Sequence, residues 1–177
     1  MNGPGAIAAI LKRVDGVLIP AVEDLTVEEL RAQPAGPNTN PIGWIVWHLT
    51  RIQDDAVSRI QGVPSEWESG GWRERFAISN DPLHIDPRDV SSFDPANAET
   101  LLGYYQAVRR RTEAALAGMD GDHLDKVLPE TAGRRSMTVM ESFAMVVSDN
   151  TQHIGQVAYL RGLLRGQGWY ANRRALT

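Results

Sequence analysis

Ser136–Arg165 reads SMTVMESFAMVVSDNTQHIGQVAYLRGLLR, a run of roughly thirty residues with no proline. The turn Gly133-Arg134-Arg135-Ser136 precedes it and Gly166 and Gly168 follow, so the stretch predicts a helix starting after Ser136 and ending near Arg165. Its apolar stripe is Met140, Ala144, Val147, Ile154, Ala158 and Leu160. Gly155 and Gly162 weaken it slightly, each by on the order of 1 kcal/mol relative to Ala.

Three further helices are predicted upstream. The first spans about Pro4 to Leu18, with Ile7, Ile10, Leu11, Val14 and Leu18 on one face and Pro20 as its stop. A short turn over Thr26–Arg31 has the capping-box pattern, Thr26 capping and Glu29 reaching back. The second long helix starts at Asn40, which can cap, with Pro41 in the first helical position, and ends near Gly62 and Pro64. Ile45, Leu49, Ile52, Ala56 and Ile60 form its stripe. The third follows Asp94-Pro95 and runs to Ala117, with Leu101, Tyr105, Val108, Thr112 and Ala115 on one face and Gly118 as its stop.

Residues 62–93 form a long crossover rich in Pro, Gly, Asp and Trp. Trp67, Trp72 and Phe76 predict that it packs against the helices. Such a connection lets consecutive helices run parallel. The expected fold is therefore all-α: one domain over 1–177, a four-helix bundle in up-down-down-up order with its long crossover between helices two and three.

Asp149 and His153 lie four apart in the middle of the last helix. They are about 40° apart around the axis and one turn apart along it, so both can reach one point. Asp disfavours a helix interior because its side chain competes for backbone hydrogen bonds. His48 borders the stripe of the second helix, three residues after Ile45 and four before Ile52. One donor from that helix and two from the last make a set of three that leaves room for water or substrate. Zn²⁺, Ni²⁺ or Fe²⁺ would each suit two imidazoles and a carboxylate. Spacing alone leaves other readings open: a packed histidine at position 48, and a local hydrogen bond or ion pair between Asp149 and His153. His84, in Asp81-Pro82-Leu83-His84, and His123, after a Gly-Asp turn, read as turn or surface residues. His84 could still approach the site from the crossover.

Composition limits the function classes. The net charge of −4 leaves no excess of Lys or Arg for phosphates, which argues against general nucleic-acid binding. The chain has no cysteine, so disulfides, thiolate ligands and a cysteine nucleophile are excluded, and any thiol must come from outside. No apolar run is long enough for a bilayer and the N-terminal stretch lacks a signal-peptide layout, so the expected location is the cytoplasm, away from membranes.

Asn40-Pro41-Ile42-Gly43-Trp44-Ile45-Val46-Trp47-His48-Leu49, followed by Arg51-Ile52-Gln53-Asp54-Asp55, resembles the second helix of the DinB/YfiT-like superfamily. Ser148-Asp149-Asn150-Thr151-Gln152-His153-Ile154-Gly155-Gln156 resembles its fourth. Gly71-Trp72, Arg75-Phe76 and Leu102-Gly103-Tyr104-Tyr105 extend the likeness over essentially the whole chain. The pattern is most similar to the actinobacterial branch related to mycothiol S-transferases and to mycothiol-dependent maleylpyruvate isomerase.

The resemblance implies a divalent metal held by His48, Asp149 and His153, zinc first among the candidates and nickel or iron next. Many relatives have histidine where this chain has Asp149, a departure that bears on the metal's identity and affinity. It also implies a metal-dependent transferase that uses a low-molecular-weight thiol, such as mycothiol or bacillithiol, against small electrophiles in detoxification. Arg73, Arg75 and Arg161 are then candidates to hold the thiol, although each can equally be a solvated surface arginine, and Gln156 is a candidate to orient a ligand. Trp44 and Trp47 are candidate pocket walls or plain core. Alternative functions are a thiol-dependent isomerase, a metal-assisted hydrolase, or a non-catalytic metal-binding, stress-related module. The expected partners are the thiol and the electrophile, with a homodimer through exposed apolar strips.

Overall fold

Asn2 Oδ1 accepts the Gly5 N–H at 2.9 Å and Asn97 Oδ1 accepts that of Thr100 at 2.8 Å, and these caps start two of the four long helices. In this computed structural model residues 2–76, 90, 93–131, 134–166 and 168–169 are described; His84 lies outside them. The elements run α1 (Gly3–Val22), α2 (Val27–Arg31), α3 (Ile42–Gln61), α4 (Glu66–Ser69), α5 (Trp72–Arg75), α6 (Ala98–Ala117), α7 (Gly121–Leu124), β1 (Val127–Leu128), β2 (Met137–Thr138) and α8 (Val139–Arg165). The fold is mostly helical, with one small antiparallel pair in which Val127 faces Thr138 and Leu128 faces Met137.

Several boundaries differ from expectation. Pro41 occupies the cap position of α3 in extended conformation, and α3 has no side-chain cap bond, so neither Asn40 nor Pro41 plays the part expected of it. α1 continues past Pro20 to Val22. The ring removes one helical hydrogen bond, but Leu18, Ala21 and Val22 are wholly buried and hold that last turn by packing. α8 starts at Val139 because Met137 and Thr138 are paired in β2; Thr138 and Glu141 then form a reciprocal capping box. The same box at Thr26 and Glu29 is present as expected.

α3 packs against α6 and α8, and α1 packs against the same two helices. The apolar interior falls into two clusters. One gathers Val14–Val22 of α1, Ile42–Leu49 of α3, Leu101–Val108 of α6 and Ile154–Leu160 of α8, together with Trp67, Trp72 and Phe76. The other gathers Ile7 and Leu11 of α1, Ala56 and Val57 of α3, Ala115 and Leu116 of α6, and Val139–Val146 of α8. Between them runs a buried polar layer. Asn150 Nδ2 donates to Gln53 Oε1 at 2.7 Å, Gln53 Nε2 donates to Thr112 Oγ1 at 2.8 Å, and the Thr112 hydroxyl donates to the Val108 carbonyl at 2.8 Å.

The buried face of α8 is not the one its stripe suggested. Val139, Phe143, Val146, Asn150, Ile154, Val157 and Leu160 point inward, while Met140 is 40% exposed, Ala144 is exposed and Val147 and Ala158 are half-buried. Apolar residues occupy both faces of this helix, so periodicity gives no unique phase. Ile10 of α1 is likewise exposed, and Ile52 and Ile60 of α3 are half-buried.

The start of the α3–α6 connection packs as expected, with Trp67, Trp72 and Phe76 buried around Tyr104. Its anchor is Asp54, a fully buried carboxylate on α3. Asp54 accepts the Glu66 and Trp67 N–H groups at 2.9 Å each and the Tyr104 hydroxyl at 2.7 Å. These bonds satisfy the open N-terminal amides of α4, with the carboxylate at the favourable end of its dipole. No helix among the described residues is long and apolar enough to cross a membrane.

Candidate metal centre

α3 and α8 carry the three groups to one place at the edge of the buried polar layer. His48 is oriented by Trp44, one turn earlier on α3; the rings stack at 4.7 Å with 12° between their planes. His153 meets His48 edge-on, centroids 5.0 Å apart at 82°. Asp149 Oδ1 stands 3.4 Å from His153 Nε2 and 3.7 Å from His48 Nε2. One donor atom from each residue lies within 4.8 Å of the others.

Those spacings discriminate between a cation site and a hydrogen-bonded cluster. A hydrogen bond to oxygen closes at about 2.7–3.2 Å, shorter than either contact. Atoms bound at about 2.1 Å to one tetrahedral ion stand roughly 3.4 Å apart, close to what is seen. Asp149 Oδ2 is buried and has no hydrogen-bond partner in the structure. A buried carboxylate oxygen left in this way costs free energy unless positive charge meets it. The donor set therefore fits a divalent ion.

The carboxylate dominates the electrostatics of the cluster. Burial pushes the Asp149 carboxyl up, but contact with His153 and His48 outweighs it and holds the group down at about 2, so it is an anion near neutrality. The Asp149 carboxylate raises the His153 imidazole above its usual value against the opposing effect of burial. Gln156 completes the arrangement, its Oε1 lying 2.8 Å from His153 Nδ1. An amide oxygen only accepts, so Nδ1 carries a proton in this contact and Nε2 faces Asp149. Across the 3.4 Å between Nε2 and Asp149 Oδ1, either a proton on the ring or a bound cation meets the carboxylate.

The side chains of His48, Asp149 and His153 are 21%, 21% and 16% exposed, so the centre opens to solvent. Two imidazoles and one carboxylate leave coordination positions free for water or a small ligand, as catalytic centres do.

Of the three arginines expected to hold a thiol, Arg161 is already engaged within the fold. Arg161 is 4% exposed and bidentate to Asp24, at 2.5 and 3.0 Å, with a further bond to the Ala21 carbonyl at 3.2 Å. It ties α8 to the end of α1. Arg75 lies 4.5 Å over the Trp72 ring, and Trp72 packs on Tyr104 of α6. Arg73 is exposed on the same short helix. His123 is bonded to Asp120 in the α7 turn. Trp47 is wholly buried in the core, while Trp44 is half-buried beside His48.

Two features escaped the sequence reading. One is the Asp54 anchor, whose partners lie twelve to fifty residues away. The other is a cavity of about 280 Å3 between α8 and the segment preceding α3, lined by Ala35, Thr39, Asn40, Ile45, Gln156, Tyr159 and Leu160. Only Gln156 signalled it, through its place three residues after His153.

Comparison with known proteins agrees with this architecture. The sequence profile of the DinB superfamily matches residues 10–157. The chain is similar in structure to a conserved protein from Enterococcus faecalis solved by crystallography, with a TM-score of 0.81 and 23% identity; the match covers 94% of this chain and 99% of that one. At that identity the likeness speaks for the fold. Comparison with curated proteins gives no match.

Proposed function

The chain belongs to the DinB superfamily, and from that premise we propose that it is a metal-dependent transferase joining a low-molecular-weight thiol to small electrophiles. The observation that carries this reading is a solvent-open His48, Asp149 and His153 cluster with cation-like spacing, in a chain without cysteine. Such a centre has room for an external sulfur ligand and no internal one. The likeness of the His48 and Asp149–His153 segments to the mycothiol S-transferase branch favours a mycothiol-like thiol, zinc as the ion and a cytoplasmic role in detoxification. The up-down-down-up order of a four-helix bundle accords with this. α1 and α8 meet the Ile7/Phe143 cluster first and the Leu18/Leu160 cluster last, and α3 and α6 do the reverse.

His48, Asp149 and His153 hold the ion in this reading. Bound there, a divalent cation supplies positive charge that favours ionisation of a thiol. Gln156 holds the proton on His153 Nδ1, so the ring faces the centre through Nε2. Trp44 fixes the plane of the His48 ring. In the overall reaction the thiol proton passes to solvent, a sulfur–carbon bond forms, and the leaving group departs with its electron pair. With Arg161 engaged by Asp24, Arg73 and Arg75 remain the arginines available for the thiol's polar groups.

The test is conjugation of a thiol panel, mycothiol included, to monochlorobimane by zinc-, nickel- and iron-loaded protein. The reading predicts a rate above background that His48→Ala abolishes. No rate with any thiol, or an equal rate from His48→Ala, would discard it. Turnover without an accumulating conjugate would favour an isomerase or hydrolase instead.

A further inference from the structure

The cavity beside the metal centre is built, not incidental. Its outer wall is the segment between α2 and α3, which is braced from within. Gln33 Nε2 donates to the carbonyls of Thr39 at 2.5 Å and Pro37 at 3.2 Å, and the Thr39 hydroxyl donates to the Gly36 carbonyl at 2.7 Å. Ile45 and Leu160 are buried and make an apolar floor, and Tyr159 stands 65% exposed at the rim. Gln156 is shared by the cavity and the centre. That side chain gives its amide oxygen to His153 and lines the cavity as well, leaving its NH2 to donate to a guest. Asn40 adds a second amide, able to donate and accept.

The lining also excludes one ligand class. None of its seven side chains is charged near neutrality. The arginines further along α8 are occupied: Arg161 by Asp24, and Arg165 by Glu29 at 2.5 and 2.6 Å. An anion placed here loses water and meets no free cation among the lining groups, which is costly. A neutral group with hydroxyl or carbonyl oxygens meets two amides and an aromatic face. Gln156, Tyr159 and Leu160 follow His153 by three to seven residues, which is roughly 5–10 Å along the helix. That span suits one sugar ring or one substituted arene.

We propose that this cavity is a selectivity subsite for the uncharged, hydroxyl- or amide-bearing body of a molecule whose reactive end lies at the His48, Asp149 and His153 centre. The inference rests on the transferase reading for what happens at that end. The body belongs either to the thiol or to the electrophile, and two arms separate these sources. In one, zinc-loaded protein conjugates monochlorobimane with 1-thioglucose or with anionic mercaptosuccinate. In the other, the thiol is 2-mercaptoethanol and the electrophile is neutral 1-chloro-2,4-dinitrobenzene or anionic 4-chloro-3-nitrobenzoate. One arm should show at least a tenfold lower KM for the neutral member. Asn40→Asp and Tyr159→Ala should each cut that ratio several-fold with bound zinc unchanged. An equal preference for charged members in both arms, or ratios unmoved by either substitution, overturns the subsite.

A second readout does not depend on turnover. With metal-free protein, methyl glucoside and 2,4-dinitrobenzamide serve as neutral probes, and glucuronate and 2,4-dinitrobenzoate as their anionic counterparts. A neutral probe should shift the side-chain amide resonances of Asn40 and Gln156 while its counterpart leaves them in place. Such shifts in an inactive protein uphold the subsite and discard the transferase. Their absence discards the subsite even if conjugation is fast.

Discussion

His153 Nδ1 lies 2.8 Å from Gln156 Oε1, and this contact decides which nitrogen of the ring faces Asp149. Gln156→Ala removes the acceptor and frees the ring to turn or change tautomer. Zinc affinity should fall about 10- to 100-fold, as for other partners of metal-binding histidines. Competition with a chromophoric chelator measures this, and Gln156→Glu, which keeps an acceptor, should restore most of the loss. An unchanged affinity in Gln156→Ala would show that the contact does not orient the ring.

Metal should stabilise the fold through the same three residues. At a free concentration one hundred times Kd, binding adds about 2.7 kcal/mol. For a chain of this size that is roughly 5–10 °C in Tm. Zinc should raise the Tm of the unmodified protein by that amount and leave Asp149→Ala and His153→Ala unmoved. Equal rises in all three would place the binding elsewhere.

Asp54 should be costly to lose. Asp54→Ala strands the Glu66 and Trp67 N–H groups and the Tyr104 hydroxyl in the interior, for about 3 kcal/mol or more. Tyr104→Phe removes one bond to the carboxylate and should cost about 1.5–3 kcal/mol. Urea unfolding followed by circular dichroism gives both values. A smaller loss for Asp54→Ala than for Tyr104→Phe would contradict the anchoring role.

Glu29 makes acid stability measurable at a defined point. Its bonds to Arg165, with help from the Thr26 N–H, hold its carboxyl at about 2, below the ordinary 4.5. A carboxyl depressed in the folded state stabilises the fold fully above its unfolded value. The contribution fades as pH falls from about 4.5 through about 2. Glu29→Gln should therefore flatten the dependence of stability on pH across that window and leave its slope above pH 6 alone. The same slope in both proteins below pH 4.5 would rule out the linkage.

Features carried by local pattern were legible before the structure. The Thr26–Glu29 capping box, and the i to i+4 spacing of Asp149 and His153, need only neighbours in sequence. The phase of α8 did not follow, because Met140, Ala144 and Ala158 are as apolar as the residues that point inward. The role of Arg161 was hidden for a different reason. Its partner Asp24 lies on the far side of the sequence, and nothing local separates an arginine buried in an ion pair from one in water. The cavity was hidden likewise, since Asn40 and Tyr159 come together only once α3 and α8 have packed.

The polar layer of Asn150, Gln53 and Thr112 has a consequence for the metal centre one residue away. A helix that slides past its neighbour by one turn moves about 5.4 Å. Apolar side chains tolerate such a slip far better than a chain of directional hydrogen bonds, which it would leave unmet in the interior. Asn150 adjoins Asp149, and Gln53 follows His48 by five residues, so the bond between them works as a vernier between α3 and α8. The entropy of bringing two donor-bearing helices level is spent during folding. An arriving ion then finds its ligands already aligned and has only side-chain motion left to arrest.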